Sequence, residues 1–88
     1  YEADVFISPD EKFIIFCSER PGGYGKGDLF ISFRDDKGIW QKAKNMGSVI
    51  NTDNYEFCPS VSRDGKYLFY TSNMDIYWVD ASVIESLR

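Results

Sequence analysis

The sequence predicts an all-β fold: two four-stranded antiparallel blades of a β-propeller, the second lacking its outer strand. Three observations predict it. Residues 1–18 (YEADVFISPDEKFIIFCS) align without a gap on residues 55–72 (YEFCPSVSRDGKYLFYTS) at a constant offset of 54. Identical pairs are Tyr1/Tyr55, Glu2/Glu56, Ser8/Ser62, Asp10/Asp64, Lys12/Lys66 and Ser18/Ser72. The match resumes at Asp28-Leu29-Phe30 over Asp75-Ile76-Tyr77 at an offset of 47, so the second copy has a shorter loop. Short apolar runs punctuated by turn residues, repeating every 40–55 residues or so, are the mark of propeller blades.

Each element follows from its residues. Residues 4–8 form a short apolar run stopped by Ser8-Pro9-Asp10. Pro9 suits the second position of a turn, and Asp10 can bond its own backbone two residues on. Arg63-Asp64-Gly65-Lys66 does the same in the second copy, with Gly65 free to take positive φ. Residues 13–17 and 67–71 are runs of bulky side chains and read as strands buried on both faces. Residues 28–33 and 75–80 are third strands. Residues 34–38 form a polar hairpin loop, and 39–43 a fourth strand carrying Trp40. Blade one therefore spans 1–43, an Asn-, Gly- and Ser-rich connector 44–54, and blade two 55–80 with three strands. In the tail, 81–88, Ser82 and Glu85 at capping-box spacing predict a short helix.

Composition narrows the function. The 88 residues carry a net charge of −4 and no histidine. An acidic chain repels phosphate, so nucleic acid is not an expected partner. The commonest general base and the commonest zinc ligand are both missing. No apolar run approaches the roughly 18 residues of a membrane span. The chain begins at Tyr1 without Met, as an excerpt or a processed product does. Cys17 and Cys58 are too few for a disulfide framework and fit no zinc spacing. Both are expected to be buried thiols, with a single disulfide as the alternative.

The same residues resemble the TolB-like (WD-repeat-like) β-propeller repeat of bacterial proteins. That repeat reads Ser-Pro-Asp-Gly-Lys, an apolar strand ending in Ser, then Asp-Ile-Tyr. Here it is Ser8-Pro9-Asp10-Glu11-Lys12 to Ser18 and Asp28-Leu29-Phe30, then Ser62-Arg63-Asp64-Gly65-Lys66 to Ser72 and Asp75-Ile76-Tyr77. The stretch Gly22-Gly23-Tyr24-Gly25-Lys26-Gly27-Asp28 is similar to the Gly-Gly-x-Gly-x-Asp loop of one subgroup. So is the run from Trp40 through Asn45-Met46-Gly47 and Ile50-Asn51-Thr52 to Glu56 and Pro59. Glu11 and Arg63 depart from the pattern, where Gly and Pro are usual. The resemblance implies the C-terminal part of a propeller of about six blades, its last blade completed by an N-terminal strand of the same chain. It also implies a place in the bacterial periplasm or cell envelope.

The glycine-rich loop is no P-loop, because Gly25-Lys26 is followed by Gly27 and a strand. Its glycines require only a turn-rich loop; a ligand- or partner-contacting loop with Tyr24 at its tip is the alternative. In a four-stranded meander, the second turn and the inter-blade connector lie on one edge. Residues 19–27 and 44–54 therefore share a face with the start of each first strand. A ligand or partner is expected there, near Arg20, Tyr24, Lys26, Asn51, Asp53 and Glu56. Asp10 and Asp64 recur in turns, where bonding to backbone explains them. Asp35, Asp36 and Asp53 have no EF-hand-like spacing. Glu2 and Glu56 leave a cation or catalytic role open, but no catalytic, metal or cofactor-binding residue is assigned. The repeating aromatics, among them Phe16/Tyr70 and Phe30/Tyr77, are expected to pack blade against blade; Phe13, Ile15, Tyr67 and Phe69 are expected on outer faces that the neighbouring blades of a full propeller would cover. The expected function is a non-enzymatic scaffold or binding module. The alternative is a non-catalytic part of a propeller enzyme (glycosidase, lyase or peptidase) whose active residues lie elsewhere. Expected partners are further blades of a longer propeller, a second copy of this chain, or another protein.

Overall fold

The computed structural model describes residues 2–18, 27–52 and 55–88, with side chains from residue 5 onward. They form seven strands and one helix: β1 (Glu2–Ile7), β2 (Phe13–Ser18), β3 (Asp28–Phe33), β4 (Lys44–Asn45), β5 (Glu56–Val61), β6 (Tyr67–Ser72), β7 (Asp75–Asp80) and α1 (Ser82–Ser86). Strands β1-β2-β3-β4 make one sheet and β5-β6-β7 a second, each in chain order. Every ladder is antiparallel. Among the described residues a parallel bridge, Gly27 to Tyr55, ties the two sheets. No helix among the described residues is long and apolar enough to cross a membrane.

The two halves repeat in detail. Ser8 Oγ donates to Asp10 Oδ1 at 2.7 Å, and Ser62 Oγ to Asp64 Oδ1 at 2.6 Å. The same Asp oxygens accept from Lys12 N and Lys66 N, and the Ser hydroxyls from Phe13 N and Tyr67 N. Each turn thus satisfies its own backbone donors through the side chains that recur in sequence. Each first strand also carries a bulge at the same point, between Ala3 and Val5 and between Phe57 and Ser60. Phe16 stacks on Phe30 at 6.0 Å and 20°, Tyr70 on Tyr77 at 6.1 Å and 24°.

The alternation of side chains along the strands defines a front and a back to each sheet. On the first, register pairs Phe13 with Phe33, Ile15 with Ile31 and Cys17 with Leu29 on the front. On the second, the partners Leu68/Val79 and Tyr70/Tyr77 share the back. The front of the first sheet and the back of the second meet in one apolar cluster, joined by Met46, Ile50, Ala81 and Ile84. Helix α1, too short to be stable alone, is held by Ile84 in that cluster. Lys44 Nζ also donates to Leu87 O at its end, and Arg88 lies 4.7 Å over the Phe33 ring.

Four expectations need correction. The ladder of the fourth strand lies at Lys44–Asn45, not 39–43. Trp40 forms only an isolated bridge with Arg34, because Asp35 accepts from Lys37 N and Ile39 N and prolongs the turn. The first sheet therefore reaches into the connector. Strand β6 is not buried on both faces: Leu68 and Tyr70 are buried while Tyr67 and Phe69 are exposed. Cys58 is an exposed thiol, unlike buried Cys17. Its left-handed φ of 53° belongs to the bulge, where one extra residue turns the strand. The helix is not capped by Ser82; Asp80 Oδ1 instead accepts from Ser82 N at 2.8 Å.

Candidate functional site

The expected face is the edge where β3 and β5 begin. The polar residues of the connector fold onto this edge because their side chains can replace missing ladder partners. Asn51 Oδ1 accepts from Leu29 N at 2.7 Å, and Asn51 Nδ2 donates to Leu29 O at 3.0 Å. One side-chain amide so does what a paired strand residue would do. Asn51 Nδ2 also donates to Asn45 Oδ1 at 2.8 Å, which accepts from Gly47 N as well. Asn45 Nδ2 donates to Asp28 Oδ2 at 3.0 Å.

A second cluster closes the connector onto the second sheet. The Glu56 carboxylate accepts from Thr52 N at 2.9 Å and from the hydroxyls of Thr52 and Ser72, both at 2.6 Å. Its own backbone N donates to Gly27 O. Glu56 is 0% exposed, so these donors replace its hydration. The Tyr70 hydroxyl is pushed up from its usual pKa, chiefly by burial, then by the charge of Glu56 and by Tyr77. Gly27 is required by close approach: a Cβ there would stand 2.6 Å from the Tyr55 ring and 3.2 Å from Cys17 Sγ.

Beside Glu56 lies a shallow recess of about 310 Å³, lined by Ile50, Thr52, Tyr70, Ser72, Asn73 and Tyr77. The stacked pair Tyr70–Tyr77 belongs to its lining. The recess sits by a two-residue hairpin whose residues Asn73 and Met74 both have positive φ, 49° and 66°. The first copy has seven more residues at this position.

Of the six residues expected on this face, Arg20, Tyr24, Lys26 and Asp53 lie outside the described residues. Gly22, Gly23 and Gly25 of the glycine-rich loop do too. Asn51 and Glu56 come together at the connector, but both are buried and committed to internal bonds rather than offered to a partner. Tyr70, Tyr77 and Asn73 were not singled out as site residues. The loop shorter by seven residues was the signal that the edge opens there.

Larger grooves lie on the opposite edge, two of them near 500 Å³. One, about 500 Å³, runs between the Ser8–Asp10 and Ser62–Gly65 turns and α1; the other, about 480 Å³, is lined by Phe33, Arg34, Asp35, Gln41, Lys42 and Arg88. Their size does not make them the better site. Of the carboxylates in them, Asp10 and Asp35 are held by turn donors and Glu85 pairs with Arg88. Among the described residues no buried side-chain N or O lacks a partner, and no three His, Cys, Asp or Glu are grouped to hold a metal. Comparison with known protein families, with curated proteins and with solved structures found no match to this chain.

Proposed function

We propose that the chain is a pair of consecutive β-propeller blades of the TolB-like type, acting as a non-enzymatic scaffold or binding module in the bacterial cell envelope. The observation that carries this reading is the equivalence of the two halves. Residues that recur at the offset of 54 make the same internal bonds in each turn: Ser8 with Asp10, and Ser62 with Asp64. A side chain repeated for the sake of the unit is structural, while a catalytic group is needed once. Packing of one sheet's front on the next sheet's back is the arrangement that blades take around an axis. Contact with a partner falls to the connector edge, where the recess offers the exposed Tyr77 ring, backed by buried Tyr70, beside polar Asn73 and Thr52.

Site-specific photocrosslinking in the envelope of a bacterial host tests this. Tyr77 is replaced by p-benzoylphenylalanine, and Lys37, in the turn on the opposite edge, serves as the control position. A discrete protein adduct from position 77 and none from position 37 is expected. Equal labelling from both positions, or none from either, contradicts a contact surface on this edge.

A further inference from the structure

The recess at the connector edge has an anion behind it and no cation to cancel it. The Glu56 carboxylate is wholly buried and held by Thr52 and Ser72, two residues of the recess lining. Those donors are a backbone N–H and two hydroxyls, so the negative charge is solvated but not neutralised. Among the described residues no Lys or Arg lines the recess or bonds to this carboxylate. Arg34, Lys42, Lys44 and Arg88 line one groove of the opposite edge instead, and Arg63 lines the other. A buried charge is little screened by salt and acts on its surroundings. The Tyr70 hydroxyl in the lining shows this, its pKa raised by burial first and then by Glu56. The groups of the lining point the same way. Thr52 and Ser72 spend their hydroxyl protons on Glu56, so what Ser72 can offer a ligand is an oxygen lone pair. Tyr77, stacked on Tyr70, presents a ring face, the negative side of its quadrupole. Asp75 lies opposite Ser72 in register and two residues before Tyr77, hence on the same face of the sheet, and it is exposed. Ring face, lone pair and carboxylates together attract a cation rich in donors and repel a carboxylate or phosphate.

We infer that the recess takes a basic side chain, lysine or arginine, of a partner protein, with the cation over the Tyr77 ring and the aliphatic stem along Val49. This rests on the reading of this edge as a contact surface and adds the chemistry of the partner. At about 310 Å³ the recess is at the small end of ligand sites, which run from about 300 to 1,000 Å³. It has room for one long side chain and not for a segment of chain. Lysine and arginine lay their methylene stems on apolar surface while the charged head stays among polar groups, which suits exposed Val49 beside Asn73 and Tyr77. A cation within about 6 Å of a tyrosine ring centre is attracted by the ring as well as by the carboxylate.

NMR titration of the isotopically labelled chain tests it with four probes: the N-acetyl amides of lysine, arginine, norleucine and glutamate. The lysine and arginine probes should shift the signals of Ser72, Asn73 and Tyr77 and saturate with a Kd of about 1–10 mM, the strength open to a ligand of this size. Norleucine, with the stem but no charge, and glutamate should bind more than about tenfold more weakly. Tyr77→Leu should weaken the lysine probe by about fivefold, the worth of one cation–ring contact. Val49 is 74% exposed, so changes there leave the fold intact. Val49→Lys should weaken the lysine probe by about three- to fivefold and Val49→Glu should strengthen it by a similar factor, through one unit charge at the lip. Three results overturn the inference: no saturable shift from either basic probe, equal binding of norleucine or glutamate, or weakening by both Val49 variants alike, which marks an apolar site. Labelling from position 77 without binding of the basic probes would keep the contact surface and sink only this inference. Binding of those probes without labelling would do the reverse.

Discussion

Glu11 and Gly65 occupy the same position of the same turn in the two halves, and both take left-handed backbone, φ 58° and 74°. In each turn the residue's N–H donates to the hydroxyl-bearing residue three before it, Glu11 to Ser8 O and Gly65 to Ser62 O. The turn therefore dictates the conformation, and the residue only tolerates it. A side chain with a Cβ does so at a cost of about 1–2 kcal/mol.

Gly65→Ala should therefore destabilise the chain by about 1 kcal/mol. Nothing lies within 4 Å of an added Cβ, so the loss is conformational and not a clash. Glu11→Gly should be neutral to stabilising. The Glu11–Arg34 pair that it removes is exposed and 3.6 Å apart, a weak interaction. Urea unfolding of the two variants checks both signs.

Asn51→Ala should cost about 3 kcal/mol in the same assay. Both backbone groups of Leu29 are bonded to the Asn51 amide, and Leu29 is 0% exposed. Removing the amide strips a buried donor and weakens a buried acceptor, each worth about 1–3 kcal/mol. Leu29 O keeps one bond, from Met46 N. Asn51→Asp should also lose stability at neutral pH, because a carboxylate cannot donate to Leu29 O.

Acid should weaken the fold through Asp10, Asp64 and Asp80. Their carboxyls are held below the ordinary value of 3.8: Asp10 chiefly by the Ser8 hydroxyl, Asp64 by the Ser62 hydroxyl, and Asp80 by the backbone N–H of Ser82. A folded pKa below the unfolded one contributes stability that is fully present above the unfolded value. That stability is lost as pH falls from about 3.8 through the folded values. Carboxyl-carbon NMR titration should give three midpoints below 3.8.

The two thiols should separate by accessibility. Cys58 is exposed and should react with a thiol reagent in the native state. Cys17 is buried in the core and should react only as fast as the chain opens, more than about a hundredfold more slowly. Mass spectrometry of labelled peptides over time distinguishes them.

Much of this was legible in the sequence. The strands β2, β3, β6 and β7 follow from bulky runs between Ser/Asp/Gly turns, because those turns bond their own backbone and need no tertiary partner. What depends on a distant partner was harder to read. Asp35 draws the chain around as far as Ile39, so the fourth strand pairs late, at Lys44. Nothing in residues 39–43 announces that. The bulge exposing Cys58 leaves no glycine as a marker, since a cysteine holds the left-handed position. Asn51 and Glu56 were recognisable as unusual, but not as buried: polarity suggested solvent, and the structure bonds them inward. Tyr70 and Tyr77 read as blade packing, yet they also line the recess, because the short hairpin at Asn73 leaves it uncovered.

The front-to-back stacking of two equivalent sheets is tested most directly by methyl nuclear Overhauser contacts in dilute, isotopically labelled chain. Ile15 and Ile31 lie on the front of the first sheet and Leu68 on the back of the second, all in one buried cluster. The account predicts contacts linking Ile15 and Ile31 to the Leu68 cluster, through Met46 or Ile50 where not direct, and none from Leu68 to Ile14 or Ile7. Contacts from Leu68 to Ile14 or Ile7 would mean that the first sheet presents its other face, and would contradict it.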